Sequence, residues 1–426
     1  MRVLLVSANT ETINMPVLPL GMAFVARATE DAGHKVSQIN LMAKPEALNT
    51  LAERIQKVQP DIIGISVRNI DDQVSSQPRF LLEPVKAIVS TCRQNSEAKI
   101  VLGGAGYSIF PLHALAYLGA DMGIQGEGER SFVTLLNRLK NSDDLSNIPG
   151  LYHVDQSIAN PPTTSKKIDQ TAFPLPGRHI KKLEHTGDEI IWLPFQTRKG
   201  CPLNCSYCST PSIEGKTIRK RSPGLIIDAM AAYVSAGFDH LFFVDNTFNL
   251  PLDYSKDLCN QVIGSGLKIT WRGILYPWKV EKELVAKMAE SGCAEVSLGF
   301  ESGSDIMLRK MNKQYRTEDV RHASDLLKTY GIHRMGFLLL GGPGETRQTV
   351  LESLEFADSL ALEMVKVTIG LRIYPDTELA FYARRTGRIS PEDNLLLPQF
   401  YIENGTEAWI RQTVDAWMKD RPNWIY

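Results

Sequence analysis

Cys201-Pro202-Leu203-Asn204-Cys205-Ser206-Tyr207-Cys208 sets three cysteines in a C-x3-C-x2-C spacing. The chain has only six cysteines in 426 residues, so chance places such a triple in roughly one such chain in a thousand. Three thiolates can hold three irons of a cubane [4Fe–4S] cluster and leave the fourth iron open to a substrate or cofactor. The competing readings are a chance grouping and a zinc site. The zinc site lacks a fourth ligand, because no histidine or further cysteine lies close by in sequence to close a tetrahedron.

Outward from this stretch, Thr197-Arg198-Lys199-Gly200 leads in from a strand expected over 190–196, and Tyr207 offers a ring for an adenine to stack on. Further strands are expected at 240–245, 267–273, 294–300, 333–340 and 365–371, with helices between them. Six β/α units are fewer than a closed eight-stranded barrel needs. Phe243-Val-Asp245-Asn246 ends the second of these strands. Gly299-Phe-Glu301-Ser302-Gly303-Ser304 ends the fourth. Gly341-Gly342-Pro343-Gly344-Glu345 follows the fifth, and Leu371-Arg372-Ile373-Tyr374-Pro375 closes the sixth.

The cysteine segment resembles the signature of the radical S-adenosylmethionine (SAM) superfamily, and the resemblance runs from about residue 190 to 390. It implies a partial (β/α)6 barrel, open on one side for substrate. Cys201, Cys205 and Cys208 would ligate the cluster, whose open iron would chelate SAM, and one electron would cleave the sulfonium to a 5′-deoxyadenosyl radical. The strand ends would hold SAM: Tyr207 beside the adenine, Asp245 at the amino group, Glu301 with Ser302 at the ribose or amino group, Gly341 and Gly342 at the adenine turn, and Arg372 on the carboxylate.

Residues 1 to about 140 also alternate strand and helix, which implies an α/β, doubly wound, Rossmann-like parallel sheet. Strands are expected over 3–6, 35–41, 61–67, 99–102 and 122–125, and helices over 22–32, 45–58, 80–95 and 111–119, with a last one running to 139. The ligand-facing loops would carry Ala8, Asn9 and Thr10; Ser66, Val67, Arg68 and Asn69; Gly103, Gly104 and Gly106; and Gly126, Glu127 and Gly128, where glycines let the backbone approach a large ligand. A plain flavodoxin-like domain with structural glycines is the alternative. The pattern argues against a nicotinamide site, because the glycine run follows the fourth strand and no G-x-G-x-x-G follows the first.

With Pro19-Leu20-Gly21 and Ala32-Gly33-His34, this pattern looks like the cobalamin (B12)-binding domain that precedes many radical SAM barrels. It departs from other B12 proteins in lacking D-x-H-x-x-G, so a residue of the loop 66–69 would face the cobalt, and His34 is read as structural. Residues 141–189, rich in Ser, Asn, Asp and Pro, are expected to be a linker, and 391–426 an amphipathic helical tail.

The balance of 47 basic and 48 acidic residues gives no field for nucleic acid. No apolar run is long enough to span a bilayer. The expected compartment is the cytoplasm, which also suits an oxygen-sensitive cluster, and Cys92, Cys259 and Cys293 are read as inert buried thiols. The resemblance implies methylation of an unactivated carbon by way of the adenosyl radical and methylcobalamin. It also implies a flavodoxin- or ferredoxin-like electron donor, and a small-molecule or lipid-type substrate is the expectation. Open alternatives are a B12-dependent cyclase or ring-rearranging enzyme, a radical SAM enzyme that binds no corrinoid, and a redox sensor.

Overall fold

A computed structural model describes every residue except 12–15, 43–45, 156, 164–167, 169–171 and 183–189. The chain forms two compact units. One comprises Met1–Gln73, Pro78–Ile191 and Ser209–Gly215; the other comprises Val74–Gln77, Trp192–Cys208 and Lys216–Tyr426.

In the first unit, β1 (Arg2–Ser7), β2 (Lys35–Asn40), β3 (Ile62–Ser66), β4 (Lys99–Gly103), β5 (Met122–Ile124), β6 (Leu151–His153) and β7 (Ile158–Ala159) form one sheet in the order β2-β1-β3-β4-β5-β6-β7. β1 to β5 are parallel, and β6 and β7 add antiparallel. The Val3-Leu4-Leu5-Val6 run is buried throughout, as a strand covered on both faces must be. Val3, Leu5, Val101 and Met122 pack on Met22 and Ala26 of the helix Leu20–Asp31 and on Phe132, Leu135 and Leu136 of the helix Gly128–Asn141. The first of these helices stops ahead of Gly33, at φ +82°, as a glycine past the helix end allows. The helix expected from Pro45 runs Ala47–Val58; Pro45 itself lies outside the described residues.

The stretch expected as a linker contributes β6 and β7. Leu145, Ile148 and Leu151 join the core of the first unit, an apolar signal diluted in the sequence by the polar residues around it.

The strand order reverses between β1 and β3, which makes their carboxyl ends the switch point where such sheets bind ligands. Gly104 shapes that edge. It sits at φ +98°, and a Cβ there would lie 2.5 Å from the Val67 carbonyl oxygen. Gly104→Ala is expected to cost at least about 1–3 kcal/mol in backbone strain alone. Gly21→Ala, with nothing within 4 Å of the added carbon, is its control. Urea midpoints of the two variants check this.

In the second unit, β8 (Leu193–Phe195) is followed by a short antiparallel pair, β9 (Arg198–Lys199) with β10 (Arg219–Lys220). Then come β11 (His240–Phe243), β12 (Thr270–Leu275), β13 (Cys293–Glu301), β14 (His333–Leu340) and β15 (Met364–Ile369). β16 (Leu371–Arg372) pairs antiparallel with β17 (Phe400–Tyr401), and β18 (Trp424–Ile425) ends the chain. The main sheet is parallel, in the order β18-β15-β14-β13-β12-β11-β8. Burial alternates along the central strands β11 to β15: in β13, Val296, Leu298 and Phe300 are buried, while Ser297, Gly299 and Glu301 are partly open. The buried face packs on helices; Phe195 and Phe243, for example, meet in an aromatic cluster with Tyr233 of the helix Pro223–Ser235. The other face lines the inside of the partial barrel.

The tail is more than the expected helix. Beside the helix Glu407–Met418 it supplies β17 and β18, and β18 extends the main sheet beyond β15.

Candidate active site

The cysteine loop is held at both ends by buried groups. Asp245, fully buried, accepts from the Thr197 N–H at 2.8 Å, the Thr197 hydroxyl at 2.5 Å and the Arg198 N–H at 3.1 Å, and its other contact is the Arg198 guanidinium at 3.2 Å. Arg198 also donates to the carbonyls of Phe248 and Leu250, each at 2.8 Å, and to Ser255 Oγ at 2.9 Å. Both carboxylate oxygens of Asp245 are thus engaged from within the chain. Asp245, expected at the SAM amino group, positions the entry to the cysteine loop. Further along, the Ser206 N–H donates to the Met311 carbonyl at 3.1 Å, and the Ser206 carbonyl accepts from the Leu379 N–H at 2.9 Å. The Cys208 N–H closes a turn on the Cys205 carbonyl at 3.2 Å.

Against this loop lies Lys313, which sequence reasoning missed. Its side chain is 3% exposed. Its ammonium is 3.0 Å from the Tyr207 hydroxyl and 3.2 Å from Glu301 Oε1. The rings of Tyr207, Tyr276 and Tyr315 stand around it at 5.2, 5.8 and 5.8 Å, within cation–π range. Burial opposes its charge, yet Glu301 and the neighbouring phenols and thiol outweigh burial and hold its pKa well above the ordinary value. Burial, and then Glu301, raises Tyr207; burial raises the Cys205 thiol, with Lys313 opposing. Burial lifts Tyr276 to about 12. A lysine between Met311 and Tyr315 reads as a surface residue, and nothing local in the sequence marks it otherwise.

Glu301 ends β13 at φ +62°, a left-handed conformation that costs a residue other than glycine about 1–3 kcal/mol and clusters at functional sites. Of the expected SAM contacts, Tyr207 and Glu301 stand together at the cysteine loop, and others are committed elsewhere. Ser302 is fully buried, 2.8 Å from Ser353 Oγ, and accepts from the Ser304 N–H. Arg372 donates to the carbonyls of Ile373, Leu395 and Leu396. In this structure Ser302 braces the turn into the next helix, and Arg372 ties down the 395–396 segment. Gly341, at φ +94°, and Gly342 form the turn after β14. Glu345 braces this turn by accepting from the Gly341 N–H at 3.2 Å, and it accepts the Thr349 hydroxyl as well.

Among the described residues, no three of His, Cys, Asp or Glu converge as a single bound ion would require. A cubane instead asks for thiols spread along one loop to reach separate corners, as the three cysteines are.

In the first unit, Ala8, Asn9, Thr10, Glu11, Val67, Arg68 and Asn69 line a pocket at the β1/β3 edge. The 67–69 loop rests on glycines: Cβ atoms on Gly104 and Gly106 would meet the carbonyl oxygens of Val67 at 2.5 Å and Arg68 at 2.9 Å. Ser66 ends β3, its carbonyl accepting the Ala8 N–H, while Gly103 accepts the Val67 N–H at 2.8 Å. Arg68 forms no ion pair among the described residues. Gly126, at φ +80°, donates to Ser108 Oγ, and with Glu127 and Gly128 it stands past the end of β5, farther along the same edge. His34 bonds Asn137 at 3.2 Å, away from this edge.

Two family models match the chain: the B12 binding domain over residues 6–136 and the Radical SAM superfamily over residues 196–357. The chain belongs to the radical SAM enzymes that carry a B12-binding domain. The cofactors of such a radical SAM enzyme are a [4Fe–4S] cluster, SAM and cobalamin. It is 27% identical over 392 residues to an uncharacterized methyltransferase of Pyrococcus horikoshii, covering 90% of this chain and 83% of that one. It is 24% identical to the tryptophan 2-C-methyltransferase of Streptomyces laurentii, covering 87% and 73%. The radical SAM methyltransferase TsrM of Kitasatospora setae, solved with cobalamin and a [4Fe–4S] cluster, shares its fold at a TM-score of 0.87. There the identity is 20%, covering 99% of this chain and 92% of that one. None of the helices is long and apolar enough to cross a membrane, among the described residues.

Proposed function

We propose that this radical SAM enzyme is a cobalamin-dependent methyltransferase acting on an unactivated carbon of a small molecule, with Cys201, Cys205 and Cys208 holding the cluster. The observation that carries this is the three-cysteine loop, beside which no fourth thiol stands among the described residues. Cys259 lies in the helix Leu252–Ser265, and Cys293 opens β13 at the end opposite Glu301.

When bound, the cluster supplies one electron to open a sulfonium, and the corrinoid supplies a transferable methyl group. Such a pairing suits a C–H that cannot attack SAM as a nucleophile. The chain's own residues do the holding. Asp245 and Arg198 fix the loop entry, and Lys313 with Glu301 presents opposite charges where the methionyl end of SAM would lie. In the first unit, the loop carrying Arg68 would take the lower face of the corrinoid. The inner barrel face bears Phe242, Ile274, Phe337 and Leu339, with Ser297 and Thr368 among them and Arg272 and Lys366 beside Phe242 and Phe337, all partly open. That surface favours a compact substrate with an apolar body and few polar groups. A flavodoxin- or ferredoxin-like protein would be the electron donor.

The test uses holoenzyme reconstituted anaerobically with iron, sulfide and cobalamin, then given a low-potential reductant and SAM with a deuterated methyl group. Formation of both 5′-deoxyadenosine and S-adenosylhomocysteine is the expected result. 5′-Deoxyadenosine alone would indicate a rearranging or cyclising enzyme, and neither product overturns the proposal.

A further inference from the structure

The cysteine loop comes to the surface at Pro202 and Asn204, both exposed. The Asn204 side-chain amide donates to Glu378 Oε1 at 3.1 Å, and the Asn312 amide donates to the other oxygen of the same carboxylate. Two short helices are fixed against the loop here. Glu378–Arg385 donates its Leu379 N–H to the Ser206 carbonyl, and Met311, just past Asp305–Lys310, accepts the Ser206 N–H. Residues three and four apart share a helix face. Phe381 and Arg385 therefore continue the face of Glu378 outward, and Arg309 and Lys310 stand with Ile306. Phe381 is 61% exposed and Ile306 51%, so each helix turns a large apolar side chain to solvent beside the loop. Arg309, Lys310 and Arg385 form no ion pair among the described residues. Arg385 lies over the Tyr382 ring at 5.5 Å, and Lys310 reaches the Gly344 carbonyl at 3.4 Å. Glu378 and Asp376, both exposed, offset part of this charge and leave the patch mildly basic.

We propose that the face bearing Ile306, Arg309, Phe381 and Arg385 docks the protein that reduces the cluster, a small one-electron carrier with an acidic rim. The inference rests on the reading that the three cysteines hold a [4Fe–4S] cluster. Aromatic and arginine side chains are what interface centres favour. Carriers of this kind meet their partners over small areas and leave again. Charge at such a surface steers and orients the encounter more than it holds it, which a mildly basic patch suits. Phe381 and Ile306 supply the apolar centre, and the two arginines pair with carboxylates of the rim. Asn204 then lies under the docked carrier, which puts the cysteine loop at the contact. The step balances as one electron lost by the reduced flavin or iron–sulfur carrier and one gained by the cluster, with no bond to this chain made or broken.

The experiment measures binding of oxidised, acidic flavodoxin to reconstituted holoenzyme by calorimetry, at about 50 and about 200 mM salt. Arg309→Glu combined with Arg385→Glu is expected to weaken binding about tenfold or more, most at the lower salt, and Phe381→Ser about tenfold at both. Iron content, and 5′-deoxyadenosine formed with dithionite as reductant, should stay at the parent's level, since a small inorganic reductant needs no docking face. Lys328→Glu is the control: it ends the helix Thr317–Thr329 ahead of β14, at the amino ends of the strands, and should bind as the parent does. Variants that bind flavodoxin like the parent overturn the inference, and so does a control that loses as much as they do. A parent that ignores flavodoxin overturns it as well; if that parent self-associates and Phe381→Ser abolishes the association, a second copy of the chain covers the face instead. A parent that takes up no cluster, or makes no 5′-deoxyadenosine with dithionite, would sink the functional reading, so the two failures are separable.

Discussion

Alanine at Cys201, Cys205 or Cys208 is expected to abolish 5′-deoxyadenosine formation. Among the described residues the loop's neighbours offer no replacement thiolate: they include an ammonium, phenols, the Glu301 carboxylate paired with Lys313 and the Glu378 carboxylate held by Asn204 and Asn312. With two ligands the cluster is lost or left too labile to deliver an electron. The expected fall is the whole of the catalysed rate, about a millionfold or more on the scale of enzymatic acceleration. Iron and sulfide analysis checks the cause and the nucleoside product checks the effect. Cys92→Ala, at a buried position of the helix Leu82–Asn95 in the first unit, should load iron as the parent does. A triple-alanine protein that still cleaves SAM would remove the basis of the assignment.

The second large effect is on stability. Asp245→Ala leaves Arg198, 2% exposed, with a buried charge and no carboxylate, and it frees two backbone N–H groups and a hydroxyl in the same place. Breaking a buried pair from one side costs about 3–5 kcal/mol, a large share of a domain's stability. Denaturant unfolding should show a midpoint well below that of the parent, and iron loading should fall with it. An unchanged midpoint would mean that this pair does not hold the loop entry.

The cysteine triple stood out in the sequence because the chain has only six cysteines and three of them fall within eight residues. The strands were legible because apolar runs alternate with helical periods throughout. The barrel strands expected at 333–340 and 294–300 form over His333–Leu340 and Cys293–Glu301. Roles of polar residues at strand ends were harder to read. Asp245, Ser302 and Arg372 have the chemistry of cofactor ligands, but the same chemistry serves to pin loops. Only three-dimensional context shows that Ser353 and the carbonyls of residues 395 and 396 take up two of them. Lys313 was hidden for the converse reason. Its burial comes from Tyr276 and Glu301, which lie on other segments of the chain.

The last residues of the chain protect the sheet. Trp424, buried, and Ile425 pair with Val365 and Lys366, and without them β15 would present a row of unpaired amides to any passing strand. A shortened chain, or one whose final residues are displaced by a bulky fusion, would therefore risk clumping before it lost its fold. Purification handles are better placed elsewhere.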